Sequence, residues 1–350
     1  MRSPLTVHPL QESEFPAWGD LVAGSPDGSP YATAEYLDLL CTSAGGRFRI
    51  LGVFRGEELV GGVPLYHPDS RAGLVIGPRL LLYYLGPVLR RYETKYPSQE
   101  TARLIAALGT IAEAIEALKP AKATLKGRHT LTDVRPFIAR GWSAWPSYTY
   151  LVPLDDLVGQ RARIEQNLRR LIDRCAADGM LVTEDDDFHA FLRLHHLTME
   201  HHGTEAYLPP SGFRRWFELA RGSGLAHLFH ARLPDGTSVA AQLVLAGAHP
   251  VTHTVSAATD PAHRRLGAAA FLRWRVFETL AARRYVANDL TDAALNPVTH
   301  FKSQLGGDLV ANLVVETPES WRWRTATGLN AGYRRLRGMA GSALRRIRGG

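Results

Sequence analysis

The sequence predicts an α/β protein with mixed sheets, built from two tandem copies of one α/β unit and a basic C-terminal helix. Three observations lead to this fold class. The length of 350 residues, with 45% apolar and 21% charged residues, suits two hydrophobic cores of ordinary size. The same order of strand and helix patterns occurs twice along the chain. The excess of positive charge is confined to the C-terminal end.

The repeat is first seen as a pair of predicted β-hairpins, at residues 47–66 and 225–245. Each pattern consists of a strand, a glycine-containing turn and a second strand. Val60-Gly61-Gly62 in the first hairpin corresponds to Val239-Ala240-Ala241 in the second, so small residues follow a valine at the same place. Two copies of one structural unit explain the correspondence.

The elements after each hairpin also correspond: a strand, a long amphipathic helix, a strand, a short helix closed by glycine and a final strand. In the first copy these elements are predicted at residues 80–89, 98–118, 121–127, 134–141 and 147–154. In the second copy they are predicted at residues 250–258, 264–284, 285–291, 297–306 and 308–316. Two more helices, at 159–179 and 188–203, precede the second hairpin. We therefore expect a first domain at residues 1–153, a second domain at 154–318 and a basic tail at 319–350.

The tail carries the positive charge of the whole chain. Residues 320–350 contain eight arginines and no acid, and subtracting these eight from the net charge of +7 leaves −1 for the rest. Apolar residues recur there at spacings of three and four, which predicts an amphipathic helix with arginines on its other face. They are Leu329, Tyr333, Leu336, Ala340, Leu344 and Ile347. Packing on the body explains the stripe, whereas the unopposed arginines suit an anionic membrane or RNA phosphates.

Cysteine content and hydropathy place the protein in a cellular compartment. Cys41 and Cys175 cannot form a disulfide framework and have no zinc-like spacing, which fits a reducing cytosol and predicts no structural metal. The N-terminus lacks the apolar core of a signal peptide, and the longest apolar run is interrupted by Arg79. We expect a cytoplasmic protein without a transmembrane segment, which the tail could hold at the inner membrane surface.

One lysine stands out near the end of the second copy. Of the 41 lysines and arginines only five are lysines, and Lys302 is the only lysine after Lys126, within "THFKSQLGG". For a single residue, chance survival in an arginine-rich chain is the simplest explanation. The segment around Lys302 supplies a second explanation.

The stretch "RRYVANDLTDAALNPVTHFKSQLGG" resembles the closing segment of the Fem family of aminoacyl-tRNA-dependent transferases and of their acetyltransferase-like relatives. In that segment a strand ending in Asp, here Asp289, leads to Phe301-Lys302 and a double glycine. The segments "NLRRLIDRCAADGMLV" and "HHGTEAYLPPSGFRRWF" resemble the arginine-rich helix that opens the second domain of such proteins and the loop after it. The resemblance implies two tandem GNAT-like domains, the first degenerate and on the acceptor side, the second holding the donor site.

The resemblance also implies an N-acyltransferase and gives roles to residues. Lys302 would stabilise a phosphate or the charge that develops during acyl transfer. Asp289 would orient Lys302 or assist proton removal, although a structural carboxylate at a strand end is an equally good explanation. The strand "VTHTVSA" would offer backbone donors to the oxyanion. Phe301 would lie at the donor site.

A second short motif bears on the donor. "HRRLGAAAF" matches the R-x-x-G-x-A pyrophosphate loop of GNAT enzymes with Arg264, Gly267 and Ala269. Backbone N–H groups and the helix dipole attract an anion at such a strand-to-helix turn. The loop favours acyl-CoA as co-substrate, whereas the doubled fold, the Phe-Lys segment and the basic tail favour aminoacyl-tRNA. We favour aminoacyl-tRNA and expect no tightly bound cofactor.

The acceptor is expected to be an amine in the groove between the domains, near Arg170, His202 and Tyr207. For Arg170 and its helix neighbours Arg169 and Arg174, a solvated helix face is an equally good explanation. The histidines of "HHLTMEHH" lack zinc-ligand spacing, so no metal is expected. Peptidoglycan precursors, other wall or capsule intermediates and small metabolites all remain candidate acceptors. A function of another class is a non-catalytic GNAT-fold module that binds nucleic acid or membrane.

Overall fold

The computed structural model describes residues 4–202, 208–295 and 297–325. Within these ranges the α-helices are α1 (Phe15–Gly24), α2 (Ala34–Ala44), α3 (Pro97–Ala117), α4 (Arg135–Ile138), α5 (Leu157–Arg163), α6 (Gln166–Ala177), α7 (Phe188–His202), α8 (Pro210–Gly222), α9 (Ala268–Ala282) and α10 (Pro297–Ser303). The strands are β1 (Leu5–Pro9), β2 (Arg47–Arg55), β3 (Glu58–His67), β4 (Val75–Ile76), β5 (Val88–Leu89), β6 (Lys122–Lys126), β7 (Ser143–Pro153), β8 (Leu181–Glu184), β9 (Ala226–Arg232), β10 (Ser238–Leu245), β11 (Val251–Thr259), β12 (Ala287–Asp289) and β13 (Asp308–Glu316).

The strands form two sheets. The larger has nine strands in the order β4-β6-β13-β7-β12-β11-β10-β9-β8, and the smaller has the order β1-β2-β3-β5. Strand pairs are antiparallel except for β11 with β12 and β4 with β6, which are parallel. Helices pack on these sheets, so the predicted α/β class with mixed sheets is confirmed. No helix in the described ranges is long and apolar enough to cross a membrane.

The repeat is visible in the backbone of both hairpins. In the β2–β3 pair, Phe54 is opposite Leu59 and Val53 is opposite Gly61, so Val60 is the extra residue of a β-bulge. In the β9–β10 pair, Arg232 is opposite Ser238 and Ala231 is opposite Ala240, which makes Val239 the extra residue. The two valines that correspond in sequence therefore occupy the same irregularity in the two copies.

The last strand of each copy lies beside strands of the other copy. Strand β13 lies between β6 and β7, and β7 lies between β13 and β12. The pairing of β13 with β7 runs from Asp308 opposite Leu151 to Glu316 opposite Ser143. Each copy therefore completes its sheet with the final strand of the other, and the region between the copies is fixed by backbone hydrogen bonds.

Several elements differ from the prediction. The predicted helix at 159–179 is two helices, because buried Ile164 adopts an extended conformation between α5 and α6. The predicted strand at 80–89 is largely irregular and pairs only at isolated positions and at β5. Part of the segment expected to form the loop after α7 is α8, whose buried side chains include Phe213 and Trp216. Strands β1 and β8 and helices α1 and α2 were not predicted, because their short patterns carry little periodicity.

The buried apolar residues form two clusters. One joins the first copy to α7, α8 and the inner face of β10. The other surrounds α9, which has buried residues on every side, among them Phe271, Val276 and Phe277. A helix that is apolar all round belongs inside a fold. Helix α9 is therefore a fixed support for the loop at its N-terminus.

Candidate active site between diverging strands

The site begins where the parallel strands β11 and β12 separate. They pair over three residues, from Val251 opposite Ala287 to His253 opposite Asp289. Strand β12 ends at Asp289, whereas β11 continues to Thr259. On the other side of β11 the register with β10 skips Val255, which is therefore the extra residue of a β-bulge. The divergence opens a cavity beside a bulged strand.

The cavity has a volume of ≈ 380 Å³ and receives residues from both copies. The second copy contributes Thr198, Met199, Thr254, Val255, Ser256, Ala257, Arg273, Leu290, Thr291, Asp292, Val298, Thr299 and Lys302. The first copy contributes Tyr31, Arg79, Leu80, Leu81 and Tyr83. The backbone of "VTHTVSA" thus borders the cavity, and a molecule bound there would contact both halves of the chain.

Lys302 reaches the cavity from α10. Its Nζ donates hydrogen bonds to the carbonyl oxygens of Thr291 and, at 2.6 Å, Asp292. Both of these residues have positive φ angles, 42° and 60°, so the loop after β12 is turned to present its carbonyls to the ammonium. Burial, assisted by the charge of Arg273, lowers the pKa of Lys302 to about 8, while Asp292 and Asp289 act in the opposite direction.

Asp289 lies beneath the cavity and is completely buried. Its carboxylate accepts hydrogen bonds from the Tyr84 hydroxyl at 2.6 Å, the Thr149 hydroxyl at 2.5 Å and the Thr291 amide at 2.8 Å. Burial raises the pKa of Asp289, but the nearby His253 ring and the hydrogen bonds from Thr149 and Tyr84 outweigh it and hold the pKa below its usual range. An ionised and fully bonded carboxylate is a poor proton acceptor.

The connection between the two predicted catalytic residues runs through one loop residue. The Thr291 amide donates to Asp289, and the Thr291 carbonyl accepts from Lys302. The Thr291 hydroxyl also donates to the carbonyl of Thr254 at 2.6 Å, across the opening between the strands. Asp289 therefore holds the loop that holds Lys302, and its position fits an orienting role.

The cavity is electropositive. Arg79, Arg273 and Lys302 line it together with a single acid, Asp292. Arg79 is fixed from behind, because its Nη1 donates to the Ala44 carbonyl at 3.1 Å and to the Tyr66 hydroxyl at 2.7 Å. Cations held in a partly enclosed cavity stabilise a phosphate or a developing oxyanion better than cations in water.

The predicted donor loop forms at the N-terminus of α9, as a 3₁₀ helix (Pro261–Leu266) followed by Gly267. Gly267 has a φ of 89°, and a Cβ at this position would lie 2.7 Å from the Cβ of Leu171. The glycine is thus required by its left-handed backbone and by the close approach of α6. Arg264 is exposed and Ala269 is half-buried. The loop lies outside the set of residues that line the cavity.

The other predicted residues fall in different places. Phe301 packs against the apolar cluster around α9 and is not among the lining residues of the cavity. Arg170 lies on the exposed face of α6, the helix that contacts the donor loop. The His202 side chain and the whole of Tyr207 lie outside the described residues. In the described ranges no three metal-ligating side chains come together.

Sequence reasoning missed Lys126, which ends β6 in the first copy. Lys126 is buried, and its Nζ lies 3.2 Å from the ring centroid of Tyr83, which lines the cavity. Burial lowers its pKa to about 8 against the opposing effect of Asp292 and Asp289. The signal was present, because β6 and β12 are corresponding strands of the repeat and Lys126 is one of only five lysines.

Comparison with known proteins agrees with this architecture. Residues 159–303 match the family model described as acetyltransferase (GNAT) domain. This part of the chain is similar to a GNAT domain. The solved structure of FemX matches with a TM-score of 0.66 and 14% identity, over 89% of this chain and 96% of FemX. A search of curated proteins gives no match.

Two further solved structures share the fold. The C-terminal domain of a putative lysylphosphatidylglycerol synthetase from Agrobacterium fabrum has a TM-score of 0.57 and 12% identity, over 91% of this chain and 97% of that one. A tandem GNAT protein from the clavulanic acid biosynthesis pathway has a TM-score of 0.54 and 14% identity, over 90% and 99%. At such identities the likeness establishes the fold. The chain has a doubled, GNAT-type acyltransferase fold, and the resemblance found in its sequence is confirmed.

Proposed function

We propose that the protein is an N-acyltransferase that moves an aminoacyl group from aminoacyl-tRNA to an amine on a cell-wall precursor or a small metabolite. The observation that carries this proposal is the Lys302 ammonium, held at the opening between β11 and β12 in an electropositive cavity. A GNAT-type fold with a cation at this position suits acyl transfer, because negative charge develops on the carbonyl oxygen and on the leaving oxygen.

The reaction needs no covalent enzyme intermediate. The acceptor nitrogen attacks the ester carbonyl carbon, a C–N bond forms, and the ester C–O bond breaks. The proton lost by the amine ends on the leaving ribose oxygen, so the step is balanced. Lys302, with a pKa of about 8, is protonated at pH 7 and can stabilise or protonate that oxygen. The bulged strand around Val255 borders the same space and supplies backbone groups to it.

The acceptor amine would enter from the side formed by the first copy. Tyr31, Arg79 and Tyr83 line that side, and Arg79 gives it a positive charge suited to an anionic acceptor such as a phosphorylated precursor. His202 and Tyr207 remain predicted acceptor contacts. The Asp289 carboxylate would act by positioning Lys302 through Thr291.

An acyl-CoA donor is the second candidate, and one observation favours it. Arg264, Gly267 and Ala269 do form a turn at the N-terminus of α9, where backbone N–H groups can bind a pyrophosphate. Against this, Gly267 is already explained by its contact with Leu171. The fold likeness to FemX and the eight arginines of residues 320–350 support aminoacyl-tRNA.

The donor is tested by incubating the protein with labelled acyl-CoAs and with charged tRNAs, each with and without ribonuclease. We expect transfer to an amine acceptor that ribonuclease abolishes and that the variant Lys302→Met lacks. Ribonuclease-resistant transfer from acyl-CoA would establish the second candidate. Absence of turnover with every donor, together with retained nucleic-acid binding, would indicate a non-catalytic GNAT-fold module.

We also propose a cytoplasmic location in which the basic tail contacts the anionic inner surface of the membrane. The support is the charge of residues 326–350, which hold six arginines and no acid and lie outside the described residues. Deleting this segment should abolish salt-sensitive binding to vesicles that contain anionic lipid. Unchanged vesicle binding, with a large fall in melting temperature, would instead assign the segment a packing role.

A further inference from the structure

Helix α6 connects the two parts of the site that the sequence predicted separately. At its N-terminal end the Glu165 amide donates to the carbonyl of Gln304, just after the helix that carries Lys302, at 3.0 Å. At its C-terminal end the Arg174 guanidinium donates to the carbonyl of Arg265 at 3.0 Å, in the donor loop. Helix α6 therefore spans the surface from the Lys302 helix to the N-terminus of α9.

This surface carries a group of arginines, here called the arginine patch. The patch consists of Arg170, Arg174, Arg264 and Arg265, all of them exposed. Arg170 lies one turn before Arg174 on the same side of α6, and Arg174 bonds to the loop that holds the other two. Four guanidinium groups are thus concentrated on one helix and the loop it covers.

No ion pair joins the arginine patch to a carboxylate in the described part of the chain. Of the acids nearby in sequence, Asp173 pairs with Arg161 and Asp260 with His263, which leaves Asp178, four residues after Arg174, as the one negative charge beside four positive ones. Like charges held together cost free energy in the absence of a counter-charge. Such a cluster is stabilised by an anion from outside the protein.

The form of the patch indicates an extended anion. Its side chains lie on an exposed helix face and an adjoining loop, outside the residues that line the ≈ 380 Å³ cavity. The guanidinium fork matches phosphate oxygens, and several forks on one exposed surface suit successive phosphates of a chain. The cavity is connected to this surface through Lys302, which lines it and lies two residues before Gln304, the partner of Glu165 at the start of α6.

We infer that the arginine patch binds the phosphate backbone of an RNA whose end enters the cavity. This inference rests on the proposed aminoacyl-tRNA donor and adds the surface that holds its carrier. Arg170 then contacts the donor rather than the acceptor, and Arg264 contacts RNA phosphates rather than coenzyme A.

The test is direct binding of uncharged tRNA to the full-length protein, without turnover. The variant Arg170→Gln/Arg264→Gln/Arg265→Gln removes three charges and keeps Arg174, whose guanidinium bonds to loop carbonyls. A matched control, Arg47→Gln/Arg71→Gln/Arg215→Gln, removes three exposed arginines of other surfaces. We expect the patch variant to bind tRNA at least about tenfold more weakly and to lose about two to three units of slope in log K against log salt. The control should change both quantities far less.

Each other outcome counts against the inference. Equal losses in the two variants would show a general charge effect. Unchanged tRNA binding by the patch variant, with tRNA-dependent transfer intact, would overturn the patch and leave the proposed function standing. Loss of binding only to coenzyme A or only to anionic vesicles would assign the patch to those ligands. Wild-type protein that binds no tRNA and transfers from acyl-CoA would overturn both proposals. Circular dichroism and melting of both variants check that they fold.

Discussion

The two copies differ most clearly at their short helices, α4 and α10. Each contains a phenylalanine, followed by Ile138 in α4 and by Lys302 in α10, and a glycine with a left-handed backbone comes after each helix, at φ 84° and 79°. Phe137 is completely buried and lies 5.0 Å from Trp142 between ring centroids. Ile138 is 51% exposed, whereas Lys302 is bonded inside the cavity. The phenylalanine is thus a packing residue common to both copies, and the lysine is the residue that differs.

The first copy supplies charge to the site by another route. Its lysine is on the strand, because Lys126 ends β6, while the corresponding strand β12 ends in Asp289. Lys126 contacts the Tyr83 ring, and the pKa values of both lysines respond to Asp289 and Asp292. The second copy carries the lysine that lines the cavity, and the first carries a lysine that packs against Tyr83 of the cavity wall.

The largest effect is expected from removing the charge that distinguishes α10. Lys302→Met should lower kcat/KM for acyl transfer at least about hundredfold, because a charge that acts mainly in the transition state is lost. Lys302→Arg should restore only part of the rate, since the guanidinium is wider than the ammonium. The measurement is steady-state transfer with whichever donor is active.

The matched control for Lys302 is the corresponding residue of the first copy. Ile138→Met should leave kcat/KM within about twofold, because Ile138 is exposed and is not among the residues that line the cavity. Similar rates for wild type and Lys302→Met would mean that Lys302 is present by chance in an arginine-rich chain. There would then be no functional difference between α4 and α10.

The next largest effect concerns the loops after β12 and β6. Asp289→Asn should destabilise the fold by about 2–3 kcal/mol, because the amide cannot accept all the hydrogen bonds from Tyr84, Thr149 and Thr291. Asp133→Asn, in the loop after β6, should cost under about 0.5 kcal/mol, since its partner Arg135 is exposed. Urea unfolding measures both; equal losses would contradict a special role for the Asp289 network.

The sequence predicted the doubled architecture better than it predicted the site. Periodicity and repeated glycines located the hairpins, α3, α9 and the strand endings, because these depend on local patterns. The exchange of β7 and β13 is set by long-range pairing, for which residues 143–153 and 308–316 carry no local signal. For the same reason Arg79 and Tyr83 were not predicted at the cavity. They line it, and Lys126 packs against Tyr83, only because the two copies join there.

A smaller effect on stability is expected from substituting Lys126 of β6, and Lys122 on the same strand is its control. Burial lowers the pKa of Lys126 from 10.5 to about 8. Below pH 8 the folded protein therefore carries the Lys126 charge at a cost in stability. Between pH 8 and 10.5 Lys126 is protonated in the unfolded chain but not in the folded one, so stability rises with pH over this range. This shift costs roughly 3 kcal/mol at pH 7, offset in part by the contact with Tyr83 at about 1–2 kcal/mol. Lys126→Met should be more stable than wild type by about 1–2 kcal/mol at pH 7.

The pH dependence of the stability difference between Lys126→Met and wild type tests the burial of Lys126 more directly than its value at pH 7. The advantage of Lys126→Met over wild type should shrink as pH rises from 8 towards 10.5, because the charge that burial disfavours is lost from the wild-type fold. Lys122, on the same strand, pairs with Glu316 at 3.1 Å near the surface. Lys122→Met should be slightly destabilising at pH 7, because it removes this ion pair. A constant difference between Lys126→Met and wild type would mean that Lys126 is well solvated.

The smallest effect compares the glycines that end α4 and α10. Gly141→Ala should lower the free energy of unfolding by about 1 kcal/mol, because it forces alanine into a left-handed backbone. The added Cβ would meet no atom within 4 Å, so no steric cost is added. Gly306→Ala has the same backbone cost, and its Cβ would also lie 2.8 Å from the Cβ of Arg163 and 2.9 Å from Nε2 of Gln160. We expect an additional loss of about 1 kcal/mol in urea unfolding and a fall in transfer rate, because α5 positions α10 through the Gln160 bond to the Leu305 carbonyl. Equal losses of stability for the two substitutions would mean that α5 moves to accommodate the new Cβ at little cost. The position of Lys302 would then depend on the Thr291 and Asp292 carbonyls alone.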